Sequence, residues 1–375
     1  MAERSAMLSK RLESLDILRG LDLFLLVFLQ PVVVAIGRVA DVQWLNAVLY
    51  QLDHEVWEGF RFWDLIMPLF LFMVGASMPF SFSKYRNNPD RMAVWRKVAK
   101  RFVILFVFGM VVQGNLLAFD LHRLYMYTNT LQAIAVGYLI AAVLMMNLSV
   151  KWQLVATVGL LVVYWIPMSL FGDYTPEGNF AEAVDRVVLG RWRDGVWWDE
   201  AGNWYFSEWY NYTWVWSSLT FGATVMSGVL AGEVIRANKE NGARGVKILA
   251  MCGVALVASG LLLSVEMPII KRIWTSSMVL LSSGYCFLLM ALFYWLIDCK
   301  GRGRGLGWLK IYGMNAITAY MLGEVVSFRS IVSSVSYGLQ PWLGDYYQAW
   351  LTFGNFLILF FILRWMYRAK VFLKI

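Results

Sequence analysis

Residues 64–78 read DLIMPLFLFMVGASM, so an aspartate leads directly into an almost uninterrupted apolar run. An α-helix needs about 20 mainly apolar residues to cross the hydrocarbon core of a bilayer. Together with the aromatic residues just before Asp64, this run is long enough to predict a transmembrane helix. Comparable runs recur along the chain, and ten candidate spans begin near Ile17, Phe60, Phe102, Leu131, Leu154, Leu219, Ile248, Thr275, Ile311 and Ala349.

The composition indicates that almost the whole chain belongs to a membrane. Of its 375 residues, 59% are hydrophobic and 15% are charged. Soluble domains are about 45–50% apolar with glycine included and about 25% charged, so this composition excludes an ordinary soluble domain or a disordered chain. We therefore predict an all-α integral membrane protein of about ten transmembrane helices, with residues 1–375 forming a single transmembrane domain.

The distribution of basic residues predicts the orientation of these helices. Of the 33 lysines and arginines, 23 fall in the segments on one side and nine in the segments on the other, while Arg19 lies inside the first span. Cytoplasmic loops are enriched in Lys and Arg, so both termini should be cytoplasmic. The net charge of +8 is then a topology signal, and no nucleic-acid partner is expected.

This orientation leaves two long segments outside the cytoplasm, at about residues 41–57 and 172–214. The first runs into the densest polar cluster, in which His54 precedes Glu58, Arg61 and Asp64. A helix would place His54, Glu58 and Arg61 along one face, and His54 could reach Asp64 only if the chain breaks, for example at Gly59. An imidazole and an ionisable group at membrane depth suit proton transfer. The alternative is a row of ion pairs that anchors a helix end.

Three further features have a structural and a functional interpretation. Asp16 and Arg19 are spaced to form an ion pair, but Arg19 could instead hold an anionic cofactor at the cytoplasmic mouth. The aromatic-rich outer loop could be an interfacial belt or could bind a carbohydrate through residues such as Trp204 and Trp209. Gln132 and Asn315 are intramembrane polar residues that commonly join helices by hydrogen bonds.

Several segments together resemble the transmembrane acyltransferases related to heparan-α-glucosaminide N-acetyltransferase, in particular bacterial members associated with amino-sugar utilisation. The similarity follows the family order along most of the chain. It rests on SLD at 14–16 with RG at 19–20, HxxWxG at 54–59, DL at 64–65, PxFxFxxGxS at 68–77, LQ at 131–132, LAG at 230–232, WTSS at 274–277 and GxNA at 313–316. Two departures are Gln30, where many relatives have asparagine, and Ala133, where an arginine is common.

The resemblance implies acetyl transfer from cytoplasmic acetyl-CoA to the amino group of a glucosamine-like hexosamine on the periplasmic side of a bacterial inner membrane. His54 would be the active-site base or the acetylated nucleophile, and Asp64 would orient it. No metal is expected, whereas membrane lipids surround the protein and the resemblance suggests a homodimer. The residues expected to bind the cofactor are Arg19, Lys100, Arg101, Gln132 and Asn315, and those expected to bind the sugar are Trp57, Glu58, Trp204 and Trp209.

Two alternatives to this function remain at the level of the sequence. One is an amino-sugar transporter without acyl transfer, in which His54 and Asp64 would couple transport to protons. The other is an O-acyltransferase that acts on surface glycans. For the N-acetyltransferase, His54 is predicted near the outer surface and acetyl-CoA comes from the cytoplasm, so either the thioester reaches through an interior cavity or the His54 loop folds inward.

Overall fold

The computed structural model describes residues 12–40, 42–82, 90–114, 116, 119–208 and 212–373, and it is mainly helical. Two of the long helices contain a π-helical segment, at Leu25–Leu29 and Tyr294–Cys299. The helices are α1 (Glu13–Gly37), α2 (Gln43–Gln51), α3 (Phe62–Phe82), α4 (Arg91–Val112), α5 (Thr130–Asn147), α6 (Val150–Leu170), α7 (Phe180–Leu189), α8 (Ser218–Ala237), α9 (Gly242–Leu263), α10 (Ser276–Cys299), α11 (Gly307–Met314), α12 (Ala316–Val325), α13 (Arg329–Ser336), α14 (Gln340–Leu343) and α15 (Tyr347–Arg368).

Within the described residues, eight helical segments are long and apolar enough to cross a membrane, which makes this a multi-pass membrane protein. The remaining two of the ten predicted segments are also helical but differ in character. The first half of α4 carries five basic residues, so α4 is long but not uniformly apolar. The segment beginning near Ile311 is divided into α11 and α12 at Asn315, whose backbone angles depart from the α-helical region. The count of ten spans therefore stays a prediction.

Glycines allow the central helices to cross in direct backbone contact. A Cβ atom at Gly75 of α3 would lie 1.8 Å from the carbonyl oxygen of Val225, and one at Gly228 of α8 would lie 1.9 Å from that of Phe72. Small residues permit this close approach in membrane proteins, where helices associate by packing rather than by the hydrophobic effect. The crossing fixes the position of α3, which carries Asp64.

Loops that the alternating topology predicts on the same side contact one another. At one end, the Trp57 indole donates to the carbonyl oxygen of Tyr174, and the Thr213 amide donates to that of Arg272. At the other end, the backbone amide of Ser14 donates to Asp298. These contacts agree with the predicted alternation of the chain between two faces. Which face is cytoplasmic remains the prediction made from charge.

The predicted outer loop at about 172–214 contains its own secondary structure. Helix α7 is followed by a two-stranded antiparallel hairpin, β1 (Val196–Trp198) and β2 (Trp204–Phe206), in which Trp197 faces Tyr205. The buried Asp185 of α7 accepts hydrogen bonds from the amides of Trp214 and Val215. These bonds attach the far end of the loop to α7 and so hold Trp214 close to the helices.

Candidate active site

His54 and Asp64 meet because the chain between α2 and α3 is not helical. His54 Nδ1 lies 2.9 Å from Asp64 Oδ1. Gly59, in the turn between them, has a φ of +130°, a conformation that L side chains rarely adopt. The expected break at Gly59 is therefore present. The prediction that His54, Glu58 and Arg61 share one helical face is wrong, because this segment is not helical. Arg61 instead forms a bidentate ion pair with Glu55.

The carboxylate of Asp64 is fully buried and has several hydrogen-bond donors. Its Oδ2 accepts from the backbone amides of Arg61 (3.0 Å) and Glu55 (3.2 Å), while Oδ1 contacts His54. A buried carboxylate with this many donors stays in one orientation. Asp64 can therefore hold the imidazole in the tautomer that carries its proton on Nδ1.

Lys271 is a third member of this cluster that the sequence interpretation missed. Its Nζ lies 3.4 Å from Asp64 Oδ1. The same atom lies 2.8 Å from His54 Nδ1 and 3.2 Å from His54 Nε2, so the ammonium group contacts both nitrogens of the imidazole ring. The Gly59 amide donates to the carbonyl oxygen of Ile269 at 2.8 Å, which joins the Lys271 loop to the His54 loop. The WTSS motif at 274–277 lies close to Lys271 in the chain, but the only signal of Lys271 itself is a positive charge in a predicted outer loop.

The electrostatics of the cluster favour a neutral imidazole next to an ammonium. Burial lowers the pKa of His54, and the Lys271 charge lowers it further, against the opposing effect of Asp64. Burial also lowers the pKa of Lys271 to about 8, although the Asp64 carboxylate favours its charged form. An imidazole that is neutral at pH 7 can accept a proton or act as a nucleophile.

His54 and Lys271 line a cavity of about 370 Å³, which we call the outer cavity. Its walls combine aromatic rings with polar groups, a mixture that is typical of small-molecule sites. The aromatic lining comes from Trp63, Tyr212, Trp214 and Trp274, and the charged lining also includes Arg272 and Glu324.

A larger cavity of about 530 Å³, the inner cavity, adjoins the outer one from the opposite end of the helices. Phe70, Thr130 and Tyr320 line both cavities. Two predicted cofactor residues, Arg19 and Arg101, line the inner cavity, and the Nε of Arg101 is buried without a hydrogen bond. The expected ion pair of Arg19 with Asp16 is present, at 3.7 Å between Nη1 and Oδ1. Guanidinium groups that line a cavity also suit a phosphate-bearing ligand.

The other three predicted cofactor residues do not line either cavity. Lys100 is exposed on α4. Gln132 caps α5, because its Oε1 accepts from the backbone amides of Thr128 and Asn129. Asn315 is buried between α11 and α12, with no hydrogen bond to either atom of its side-chain amide.

Of the four predicted sugar-binding residues, the three that the structure describes lie outside the lining of both cavities. Trp57 uses its indole to bind the Tyr174 carbonyl, and Glu58 is exposed and pairs through its backbone with Ile270. Trp204 is on β2 and is 40% exposed, while Trp209 is outside the described residues. The aromatic residues that line the outer cavity are therefore not the ones that the sequence analysis predicted to bind the sugar. Among the described residues, no group of three His, Cys, Asp or Glu side chains could hold a metal ion.

Comparison with known proteins finds similarity to one group of enzymes. A family model described as heparan-alpha-glucosaminide N-acetyltransferase, catalytic, matches residues 11–176. The heparan-alpha-glucosaminide N-acetyltransferase of Mus musculus is 22% identical over 85% of the chain, and that of Homo sapiens is 24% identical over 86%. Each match covers 54% of the relative, so the chain spans about half the length of these proteins.

The matched region contains His54 and Asp64, whereas Lys271 and Glu324 lie beyond it. The relatives carry the name of an N-acetyltransferase, and their matches cover most of the chain. These findings confirm the resemblance seen in the sequence: the chain is similar to proteins of the heparan-α-glucosaminide N-acetyltransferase family.

Proposed function

We propose that this protein is a transmembrane N-acetyltransferase. It moves an acetyl group from cytoplasmic acetyl-CoA to the amino group of a glucosamine-like hexosamine on the periplasmic side of a bacterial inner membrane. The observation that carries the proposal is the cluster of His54, Asp64 and Lys271 in a cavity that adjoins a second, arginine-lined cavity. Residues 1–375 act as one domain with ten spans and cytoplasmic termini.

The inner cavity is the proposed site for acetyl-CoA. Arg19 and Arg101 bind its phosphates, and Lys100 adds positive charge at the same end of α4. The acetylated arm extends past Phe70, Thr130 and Tyr320 toward His54. Adjoining cavities support this route through the interior, in preference to an inward movement of the His54 loop.

In the proposed reaction, His54 acts through Nε2. When Nδ1–H donates to Asp64, the lone pair of the imidazole lies on Nε2, which takes a proton from the attacking amine as Lys271, 3.2 Å away, turns to the substrate. The new C–N bond forms as the C–S bond breaks, and the imidazolium returns the proton to the departing thiolate. In a two-step version, Nε2 forms a bond to the acetyl carbon as the C–S bond breaks and the CoA thiolate leaves. The amine then attacks the acetyl carbon, the C–Nε2 bond breaks, and the proton that the amine loses passes through the freed Nε2 to the thiolate. In both versions Lys271 stabilises negative charge on the carbonyl oxygen.

The experiment that tests the proposal uses purified protein, labelled acetyl-CoA and a panel of amino sugars. We expect N-acetylated hexosamine from the wild type and a loss of about 100-fold to 10,000-fold in kcat/KM for His54→Ala. The matched control is His122→Ala, since His122 stacks on Trp198 and does not line either cavity.

Two results would contradict the proposal. Acetylation of hydroxyl groups alone would indicate the O-acyltransferase. Accumulation of unmodified sugar in vesicles, with no acetylated product from any amino sugar, would indicate the transporter.

A further inference from the structure

Glu324 is a carboxylate of the outer cavity that the reaction described above does not use. It lies near the end of α12, one turn after Tyr320, and lines the cavity together with His54 and Lys271. It makes no hydrogen bond or ion pair with any residue that the structure describes. Glu324 is exposed near the end of this short apolar helix. A carboxylate that lines a cavity without an internal partner is available to a ligand, and ionisable groups in apolar helices of membrane proteins commonly mark ligand sites.

The basic residues of the outer cavity do not serve as partners of Glu324. Lys271 is paired with Asp64 at 3.4 Å. Arg272 lies over the ring of Tyr212, at 5.3 Å from its centroid, and its buried Nε has no hydrogen bond. The cavity therefore presents an unpaired carboxylate and a guanidinium N–H that also lacks an acceptor.

This combination matches the chemistry of an amino sugar. An ammonium group can donate to a carboxylate, and a hydroxyl oxygen can accept from a guanidinium. The rings of Trp214 and Trp274 supply apolar surface in the same cavity. A neutral sugar lacks the positive charge that an unpaired carboxylate attracts, and an acidic sugar would be repelled by it.

We propose that Glu324 binds the ammonium group of the acceptor amino sugar in the outer cavity, while Arg272 donates to a sugar hydroxyl. This proposal rests on the N-acetyltransferase function proposed above. Glu324 selects the cationic sugar on entry, and His54 then takes the proton whose loss makes the amine nucleophilic. Glu324 is thus a substrate-binding residue and not part of the proton transfer.

The test measures binding without turnover. Labelled glucosamine and labelled glucose are bound to the purified protein in the absence of acetyl-CoA, for the wild type, Glu324→Gln and Glu324→Asp. The wild type should bind glucosamine at least tenfold more tightly than glucose. Glu324→Gln should weaken glucosamine binding by about tenfold to 100-fold, as expected for a lost hydrogen bond to a charged group, and should leave glucose binding unchanged.

Glu324→Asp keeps the charge and should retain most of the affinity, which separates a charge effect from a folding defect. The matched control is Glu240→Gln, an exposed glutamate in the turn between α8 and α9. Unchanged KM for acetyl-CoA verifies that the variants are folded. If Glu324→Gln fails to fold, the comparison of glucosamine with glucose in the wild type and in Glu324→Asp decides the question.

The possible failures are distinguishable. Acetylation of amino sugars with wild-type glucosamine affinity in Glu324→Gln would overturn the role of Glu324 alone. Equal affinity of the wild type for glucose and glucosamine would do the same. A wild type that neither binds nor acetylates any amino sugar would overturn the proposed function together with this inference.

Discussion

At the scale of residues, His54 is set between two opposite charges. Asp64 holds one side of the imidazole, and Lys271 lies against its ring. Such a buried ion pair is stable only when further hydrogen bonds satisfy it, and the backbone amides of Glu55 and Arg61 provide them to Asp64. The arrangement keeps the imidazole neutral while a positive charge remains next to the reaction centre.

The pKa of Lys271 leads to a prediction at this scale. Because its pKa is lowered to about 8, the ammonium loses its charge as the pH rises through that value. An arginine at this position stays charged at every accessible pH. We expect the ratio of kcat/KM for Lys271→Arg to that of the wild type to be constant between about pH 6 and 7 and to rise above about pH 8.

The kcat/KM in this ratio refers to acetyl-CoA and is measured at a saturating concentration of the acceptor sugar. Ionisation of the sugar amine then affects both proteins equally. Lys271→Met is the companion variant, which should be slower by about 100-fold or more at pH 7 because it lacks the charge. A ratio for Lys271→Arg that stays flat through pH 10 would show that the charge of Lys271 plays no part in the rate.

At the scale of elements, the crossing of α3 with α8 positions Asp64 beneath the His54 loop. The two helices touch through their backbones at Gly75 and Gly228. A side chain at either position must push the helices apart, because the opposing atom is a carbonyl oxygen and cannot rotate away. The geometry of the site therefore depends on residues far from the chemistry.

We predict that Gly228→Ala destabilises the protein by about 1–3 kcal/mol and lowers kcat/KM, because the new Cβ would lie 1.9 Å from the Phe72 oxygen. The matched control is Gly159→Ala in α6, where a Cβ meets no atom within 4 Å. Thermal unfolding in detergent and acetyl transfer are measured on both variants. Equal unfolding temperatures for the two variants would contradict the tight crossing.

At the scale of the whole molecule, the two cavities open toward opposite ends of the helices and meet at Phe70, Thr130 and Tyr320. The loops at each end contact one another, so the ends are structurally distinct. In the proposed function, this arrangement lets the protein bind acetyl-CoA and the sugar from different compartments, so neither has to cross the membrane.

The corresponding prediction concerns sidedness. In sealed vesicles containing the purified protein, acetylated sugar should form when acetyl-CoA and glucosamine are on opposite sides of the membrane. No product should form when both are on the same side, whichever way the protein is inserted. The measurement is labelled acetylglucosamine with impermeability of the vesicles verified. Product that forms only when both substrates share one compartment would rule out the proposed route.

The sequence by itself determined the helical membrane class. It also predicted the alternation of segments and a functional role for His54 and Asp64, whose side chains contact each other in the structure. Apolar run length and charge bias are local properties, so they can be read along the chain. The turn at Gly59 was also foreseeable, because only a break lets residues ten positions apart touch. The helical interpretation of residues 54–61 failed since pairing with the Ile269–Ile270 backbone outweighs local helical spacing.

Only the tertiary structure shows that Lys271 contacts His54 and that Glu324 lines the same cavity. Lys271 is 217 positions away from it in the chain and is brought close by backbone pairing between two loops. The tertiary structure also places Trp214 and Trp274, and not Trp204, in the lining of the outer cavity, and it shows that two cavities adjoin. These features arise from contacts between distant segments, and such contacts are set by the packing of whole helices, which the spacing of residues along one segment does not specify.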